Sequence, residues 1–269
     1  MNLVKYTSVF KISFAQEFIY RLNFVMWRVR NIMQILLLFF LWTTVFSDPA
    51  RVVFGYDREK ILTYVFGILV VKAMVLSARA VDVPGEISRG DLTNLLLKPV
   101  NFFKYWLTRD LSSKALNLIF SAFEFLILFL IFRPEIYLQI DPFSLVGFVL
   151  SLVLAILTFF ALLMITNFVP FWSPQSGGGA QFLMIVIVTE FLSGGLFPLD
   201  ILPPAIQRIL YLTPFPYLIF FPIQVYLGKI SGTALFGGIL IALFWLIVLW
   251  LAMGWVWRRG LLVYRAEGR

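Results

Sequence analysis

Apolar residues run along this chain in long stretches separated by short polar intervals. A helix of about 20 such residues, rising ~1.5 Å per residue, crosses the hydrocarbon of a bilayer. Six stretches approach that length, at about 31–46, 61–76, 114–132, 143–169, 180–196 and 235–257. The fourth and the last carry no charge, the first two are short enough to rely on flanking side chains that snorkel, and the fifth is interrupted by Glu190. Upstream, from Val4 to Arg30, apolar residues recur at helical spacing, with Phe10, Phe14, Phe18 and Leu22 in one i, i+4 row. Lys11, Gln16, Arg21, Arg28 and Arg30 fall mostly off that row. The pattern predicts an amphipathic elbow helix over 4–30, lying on the cytoplasmic membrane face and turning into the first span. An extended cytoplasmic start of span one is the alternative.

The segment 198–228 breaks the helical pattern. It holds Pro198, Pro203, Pro204, Pro214, Pro216 and Pro222, with aromatics between them that are too apolar for an ordinary solvated loop. Short broken helices re-entering the membrane fit both features, because irregular backbone at that depth is tolerated when packed against protein or lining a cavity. A single proline-kinked span is the competing reading. The loop Pro170 to Gly179, with no charge and three consecutive glycines, reads as a structural turn or a hinge.

Composition narrows the class. Of the 269 residues 61% are hydrophobic and only 13% charged, and the mean hydropathy is +0.93. An ordinary soluble domain is roughly half apolar and about a quarter charged. Six spans consume nearly the whole length, so the expected fold is an all-α integral membrane protein, a single transmembrane domain over 1–269 with six transmembrane helices. The start lacks a short apolar core before a small-residue cleavage site and is expected to stay on the mature protein. With neither Cys nor His, thiol catalysis, disulfides, imidazole bases and nearly every zinc site are excluded.

The net charge of +8 matters through its placement. Fifteen basic residues lie in the N-terminal segment, the loop 79–113 with Lys114, and the C-terminal tail; six lie in the opposite loops, and Lys72 lies within the second span. The positive-inside rule then puts both termini and the loop 79–113 in the cytoplasm, and argues against a nucleic-acid partner. Trp27, Trp42, Trp106, Trp255 and Trp257, near span ends, read as interface anchors.

Three ionisable residues fall within spans: Lys72, Glu124 and Glu190. Each costs roughly 2.5–3.5 kcal/mol at mid-membrane on insertion scales, so each should face the protein interior, a watery cavity or a partner. They are candidates either for a translocation path or for interhelical staples, and a pairing of Lys72 with one of the glutamates is within reach. No G-x-x-x-x-G-K-[ST] loop exists, so any ATP hydrolysis must occur on another chain. A proton-coupled secondary transporter using Glu124 and Glu190 is the rival reading.

The most informative polar stretch is Glu86-Ile87-Ser88-Arg89-Gly90-Asp91-Leu92, followed by Leu96-Leu97-Lys98-Pro99-Val100. Pro84-Gly85 punctuates its start and Lys98-Pro99 its end, and its mixture of apolar and charged groups suits a docking surface. The stretch resembles the E-I-R-x-G-x-L…LLKPV pattern of the first cytoplasmic loop in type-2 ABC exporter permeases. Phe197-Pro198-Leu199-Asp200-Ile201-Leu202-Pro203, Leu212-Thr213-Pro214-Phe215-Pro216 and Phe221-Pro222 to Leu227-Gly228 resemble the region before the last span in the same family.

That resemblance implies an ATP-binding-cassette (ABC) permease of the bacterial-type inner membrane, with a second permease subunit, identical or paralogous. It also implies two nucleotide-binding ABC ATPase subunits that carry the ATP and Mg²⁺, leaving no cofactor on this chain. Glu86, Ile87, Arg89, Gly90, Asp91 and Leu92 would couple to the ATPase, with Pro170 to Gly179 as a smaller second contact. The cargo would be an amphiphilic small molecule, lipid or peptide. Ser88 departs from the family pattern, which often has Arg there.

Overall fold

A computed structural model describes residues 3–17, 21–48 and 51–264. Its helices are α1 (Leu3–Glu17), α2 (Arg21–Val45), α3 (Arg58–Val75), α4 (Val83–Ser88), α5 (Leu92–Leu96), α6 (Phe102–Phe132), α7 (Pro142–Asn167), α8 (Gly177–Phe182), α9 (Thr189–Leu192), α10 (Pro204–Tyr211), α11 (Phe220–Tyr226) and α12 (Gly232–Val263). A π-helical turn, Leu183–Val188, joins α8 to α9. Among the described residues there is no sheet, only an isolated bridge between Val53 and Tyr56.

Polar caps set the helix starts. Asp57 accepts from Lys60 N at 2.7 Å, Asn101 from Lys104 N at 3.0 Å, and Asp141 from Ser144 N at 2.9 Å, each satisfying an amide that the first turn leaves unpaired. Pro142 follows Asp141 at a position where its missing N–H costs nothing. α6 ends at Arg133, in the left-handed region at φ 43°.

Helix α3 is the centre of the bundle, packed against α2, α6, α7 and α11, with Ile61 to Phe66 all buried. α7 is also largely interior and pairs most extensively with α12. α2, α6 and α12 are buried on one side only, and Leu37, Phe40, Ile127, Leu130, Leu240 and Leu251 stand exposed on them. So much outward apolar area is what helices solvated by lipid tails present.

Four helices are long and apolar enough to cross a membrane among the described residues: Phe24–Val45, Phe102–Phe132, Pro142–Phe171 and Gly232–Val263. α3 joins them only when taken with Arg79–Ser88, from which it is bent by 55°. Length and apolarity therefore give four or five spans, not six. The helix from Gly178 to Leu192 is shorter, and its regularity is interrupted by the π turn.

Several boundaries differ from the sequence expectations, each for a physical reason. The helix through 31–46 starts at Arg21, because Arg28 is neutralised inside the bundle instead of staying in water. The helix through 114–132 starts at Phe102, because Arg109, Asp110 and Lys114 are buried against protein and do not end it. Gly177 to Gly179 form the first turn of α8 and not the preceding turn, which spans residues 172–176. In the row expected on the elbow helix, Phe10 and Phe14 stack at 6.4 Å; Phe18 lies outside the described residues, as do Arg265 and Arg269 of the tail. α1 runs beside the start of α6, where Phe10 O accepts from Ser112 Oγ at 3.1 Å.

The segment 198–228 folds as broken helices: α10 and α11 with 3₁₀ turns at Leu199–Ile201 and Phe215–Tyr217. α11 is buried throughout its first six residues, and Phe220 N donates to Ser193 O at 2.9 Å, fixing it to the end of α9. Of the tryptophans read as interface anchors, Trp27 and Trp255 are exposed, but Trp42 and Trp106 are buried. Trp257 stacks on Phe102 at 4.0 Å and joins an aromatic cluster with Phe168 and Phe171.

Candidate functional site

The stretch between α3 and α6 has a defined anatomy. α4 and α5 are short helices joined through Gly90, whose φ of +79° belongs to the left-handed region that favours glycine. The turn directs the apolar residues inward: Val83, Ile87, Leu92 and Leu95 are all buried in the chain's own core. Ile87 and Leu92, read from the sequence as docking residues, are therefore the pegs that hold the loop. Arg89, Asp91, Asn94, Leu97 and Lys98 are exposed, with Leu97 at 80%. Arg89 Nε bonds Asp91 Oδ2 at 3.0 Å across the tip.

Glu86 sits at the side of the tip, facing Arg109 at 3.9 Å. Burial pushes its carboxyl above the ordinary glutamate range, while the Arg109 guanidinium pulls it back. Arg109 also faces Asp82 at 3.7 Å, and Arg79 reaches Asp82 at 3.3 Å and Glu17 of α1 at 3.8 Å. The loop between α7 and α8 touches this one, Ser88 Oγ donating to Pro174 O at 2.8 Å.

The bend between α3 and the loop is clamped by two residues one turn apart on α6. Lys114 Nζ donates to Val75 O at 2.9 Å and to Ser77 O, supplying a cation to the C-terminal end of α3. Asp110 Oδ1 accepts from Ala80 N at 2.7 Å, supplying an anion to the start of the next helical turn. Asn167 of α7 closes the arrangement by donating to Ala80 O at 2.7 Å, and Gln181 donates to Val81 O at 3.1 Å and to Asn167 Oδ1 at 3.0 Å. The backbone at 75–81 thus meets side chains from three other elements, so it cannot move without α6 and α7. In the linear sequence Asp110 and Asn167 belong to no motif, and Lys114 stands out only as a basic flank. Their signal was a charged i, i+4 pair inside a continuous helical pattern.

The three charges that the sequence places within apolar runs, Lys72, Glu124 and Glu190, are all paired. Lys72 Nζ bonds Glu190 Oε2, and Gln34 bridges them, donating to Glu190 at 3.1 Å and accepting from Lys72 at 3.4 Å. Arg30 reaches the other Glu190 oxygen at 3.5 Å from a half-exposed position. Gly195 makes this cluster fit, since a Cβ there would lie 2.9 Å from Lys72 Cε. Glu124 pairs separately, with Arg28 at 3.2 Å. Arg28 also donates to Asn117 O at 2.5 Å and lies over the rings of Phe24 and Phe120, 5.6 Å from each centroid. Arg28 and Arg30, which the sequence places on the flank of the first span, and Gln34 are thus the partners that, with Lys72, make the two glutamates tolerable in apolar surroundings.

At the opposite end of the bundle a third polar group surrounds Asp200. It accepts from Tyr56 at 2.9 Å, from Gln224 Nε2 at 3.1 Å and from Lys229 at 2.9 Å. Lys229 also lies 3.2 Å from the centroid of the Tyr56 ring. Asp200 belongs to the Pro-Leu-Asp-Ile run noted in the sequence, and the structure gives that carboxylate its role: it ties the 198–228 segment to the start of α3. No group of three or more acidic residues able to hold a metal ion occurs among the described residues.

No curated protein matches the chain. The family model described as "ABC-2 family transporter protein" matches residues 32–268, from within α2 to beyond the end of α12, and with them the bent loop, Lys72, Glu124 and Glu190, and the broken 198–228 segment. This multi-pass membrane chain belongs to the ABC-2 transporter family.

Proposed function

We propose that the chain is the permease of an ATP-driven exporter, coupling ATP hydrolysis on a separate ABC subunit to movement of an amphiphilic small molecule, lipid or peptide. Permeases of this family work with ABC ATPase partners. In this reading α2, α3, α6, α7, α8–α9 and α12 are six spans, both termini and the loop 79–96 are cytoplasmic, α1 is the elbow, and 198–228 is the re-entrant segment on the far side. A second permease, identical or paralogous, completes the membrane part in the cell membrane. ATP and Mg²⁺ sit on the ATPase.

The observation that carries the reading is the construction of the loop: a charged, exposed tip at Arg89, Asp91 and Lys98 on a buried apolar base, its root clamped by Asp110 and Lys114. Such a part takes up force from a partner and passes it to α3, α6 and α7 together. ATP drives transport only if the closed ATPase pair favours one arrangement of these helices over another. Glu86, Arg89, Gly90 and Asp91 are then the coupling residues, with Ile87 and Leu92 holding them in place. The Lys72–Glu190 pair and Glu124, each paired between helices, are proposed to border the translocation path. That both glutamates are already ion-paired weighs against their serving as proton carriers.

The test is Arg89→Glu combined with Asp91→Lys in the complex assembled with its ATPase. Assembly with loss of cargo-stimulated ATP hydrolysis is expected; stimulation at the unmodified level would remove the loop from the mechanism.

A further inference from the structure

The last helix reaches the 79–96 loop with its own end. α12 stays helical to Val263, and at Tyr264 the backbone turns extended while Tyr264 N still donates to Gly260 O at 3.0 Å. From there the Tyr264 hydroxyl lies 3.3 Å from the hydroxyl of Thr93 on α5, and its ring meets Phe171 edge-on, the centroids 5.8 Å apart. Thr93 stands beyond the turn at Gly90, in the half of the loop that the clamp at 75–81 does not hold. Phe171 ends the short turn Val169–Phe171, and the same inter-helix segment touches the loop through Ser88 and Pro174. One side chain of α12 therefore bridges the two segments that the export reading turns toward the ATPase.

The bridge sits in a close-packed joint. A Cβ at Gly260 would stand 2.1 Å from the ring of Phe171, so only glycine lets α12 approach this far. About one turn earlier Trp257 stacks on Phe102 of α6 at 4.0 Å and packs on Phe168 and Phe171. Toward its other end α12 is held as closely, since a Cβ at Gly238 would stand 2.2 Å from the ring of Phe221 on α11. Gly238 and Gly260 are separated by about 33 Å at ~1.5 Å per residue. The helix between them is unbroken and contains no proline at which to bend. A displacement applied at Tyr264 thus has a continuous path to α11 and the 198–228 segment.

We propose that Tyr264 is a positioning residue of the transport cycle: it couples the outer half of the 79–96 loop and the turn at Phe171 to α12, which carries their displacement as a rod to α11. The inference rests on the export reading, in which the loop meets the ATPase, and it adds α12 to the helices that move with the loop.

The test uses the complex assembled with its ATPase, nucleotide-free and trapped with ATP and orthovanadate, and compares amide exchange between the two states. In the parent, trapping should change exchange severalfold both at 90–97 and at 257–264. Tyr264→Ala should keep the response at 90–97 and lose most of that at 257–264. Thr93→Val, which leaves the aromatic joint intact, should weaken the response at 257–264 in the same direction. A residue that only packs would raise exchange at 257–264 equally in both states and leave their ratio as in the parent; that ratio, unchanged in either variant, would overturn the proposal. A parent that responds at 90–97 but not at 257–264 would overturn it too, and the export reading would stand. Silence at 90–97 in the parent would remove the loop from the mechanism and the role of Tyr264 with it.

Discussion

Lys72 and Glu190 hold each other's charge where neither is well hydrated, each side chain being 11% exposed. Removing one member of a buried pair strands the other, typically at a cost of roughly 3–5 kcal/mol, whereas replacing both with neutral groups of similar shape is often close to neutral. Lys72→Met should therefore lower the unfolding temperature in detergent much more than Lys72→Met combined with Glu190→Gln. Equal losses in the two variants would mean that the pair is not coupled. Arg30 and Gln34 temper the single loss, since both already contact Glu190. Transport readings of the same variants separate a path from a staple: a staple alone leaves the double variant active, and a path does not.

Within elements, two neighbouring glycines of α12 should respond in opposite directions. Gly238 faces the ring of Phe221 so closely that any Cβ must displace it, while Gly237 faces open space. Gly238→Ala is expected to destabilise by about 1–3 kcal/mol through overpacking, and Gly237→Ala to stabilise by up to about 1 kcal/mol through helix propensity. Thermal unfolding of the two variants side by side checks the signs.

The clamp on α6 makes another element-scale prediction. Lys114→Met frees the carbonyls of Val75 and Ser77, and Asp110→Asn removes the anion that receives Ala80 N. Hydrogen bonds to charged groups contribute about 1.5–3 kcal/mol each. Amide exchange across 76–97 should thus accelerate at least tenfold in Lys114→Met, with little change in α12; uniform acceleration along the chain would mean that the residue supports the whole fold and not the loop.

At the scale of the whole molecule, the absence of cysteine allows the topology to be read one residue at a time. Asn94→Cys, at the exposed loop tip, should react with a membrane-impermeant thiol reagent only when the cytoplasmic face is accessible, and Ser231→Cys, at the start of α12, only from the other side. Reaction of both from one side would remove the six-span arrangement. The labelling bears most directly on α3 and α8–α9. One qualifies as a span only with the bent segment that follows it, and the other is short and interrupted.

Hydrophobic periodicity by itself determined that the chain is helical, lives in a membrane and has its most secure spans in α7 and α12, because a span must satisfy every backbone group locally and the runs 143–169 and 235–257 carry no charge. The two motif regions were equally legible, since Gly, Pro and charge pattern leave marks that survive without a structure. What the linear order could not decide was partnership. Arg28 looks like a flank until Glu124 stands beside it, Asp110 looks like a loop residue and Lys114 like a basic flank until the backbone at 75–80 comes within reach, and Ile87 and Leu92 look like docking residues until the turn at Gly90 directs them inward. Whether a polar residue ends a span or lies inside it depends on which side chains and carbonyls from distant segments neutralise it, and only packing in three dimensions brings those together.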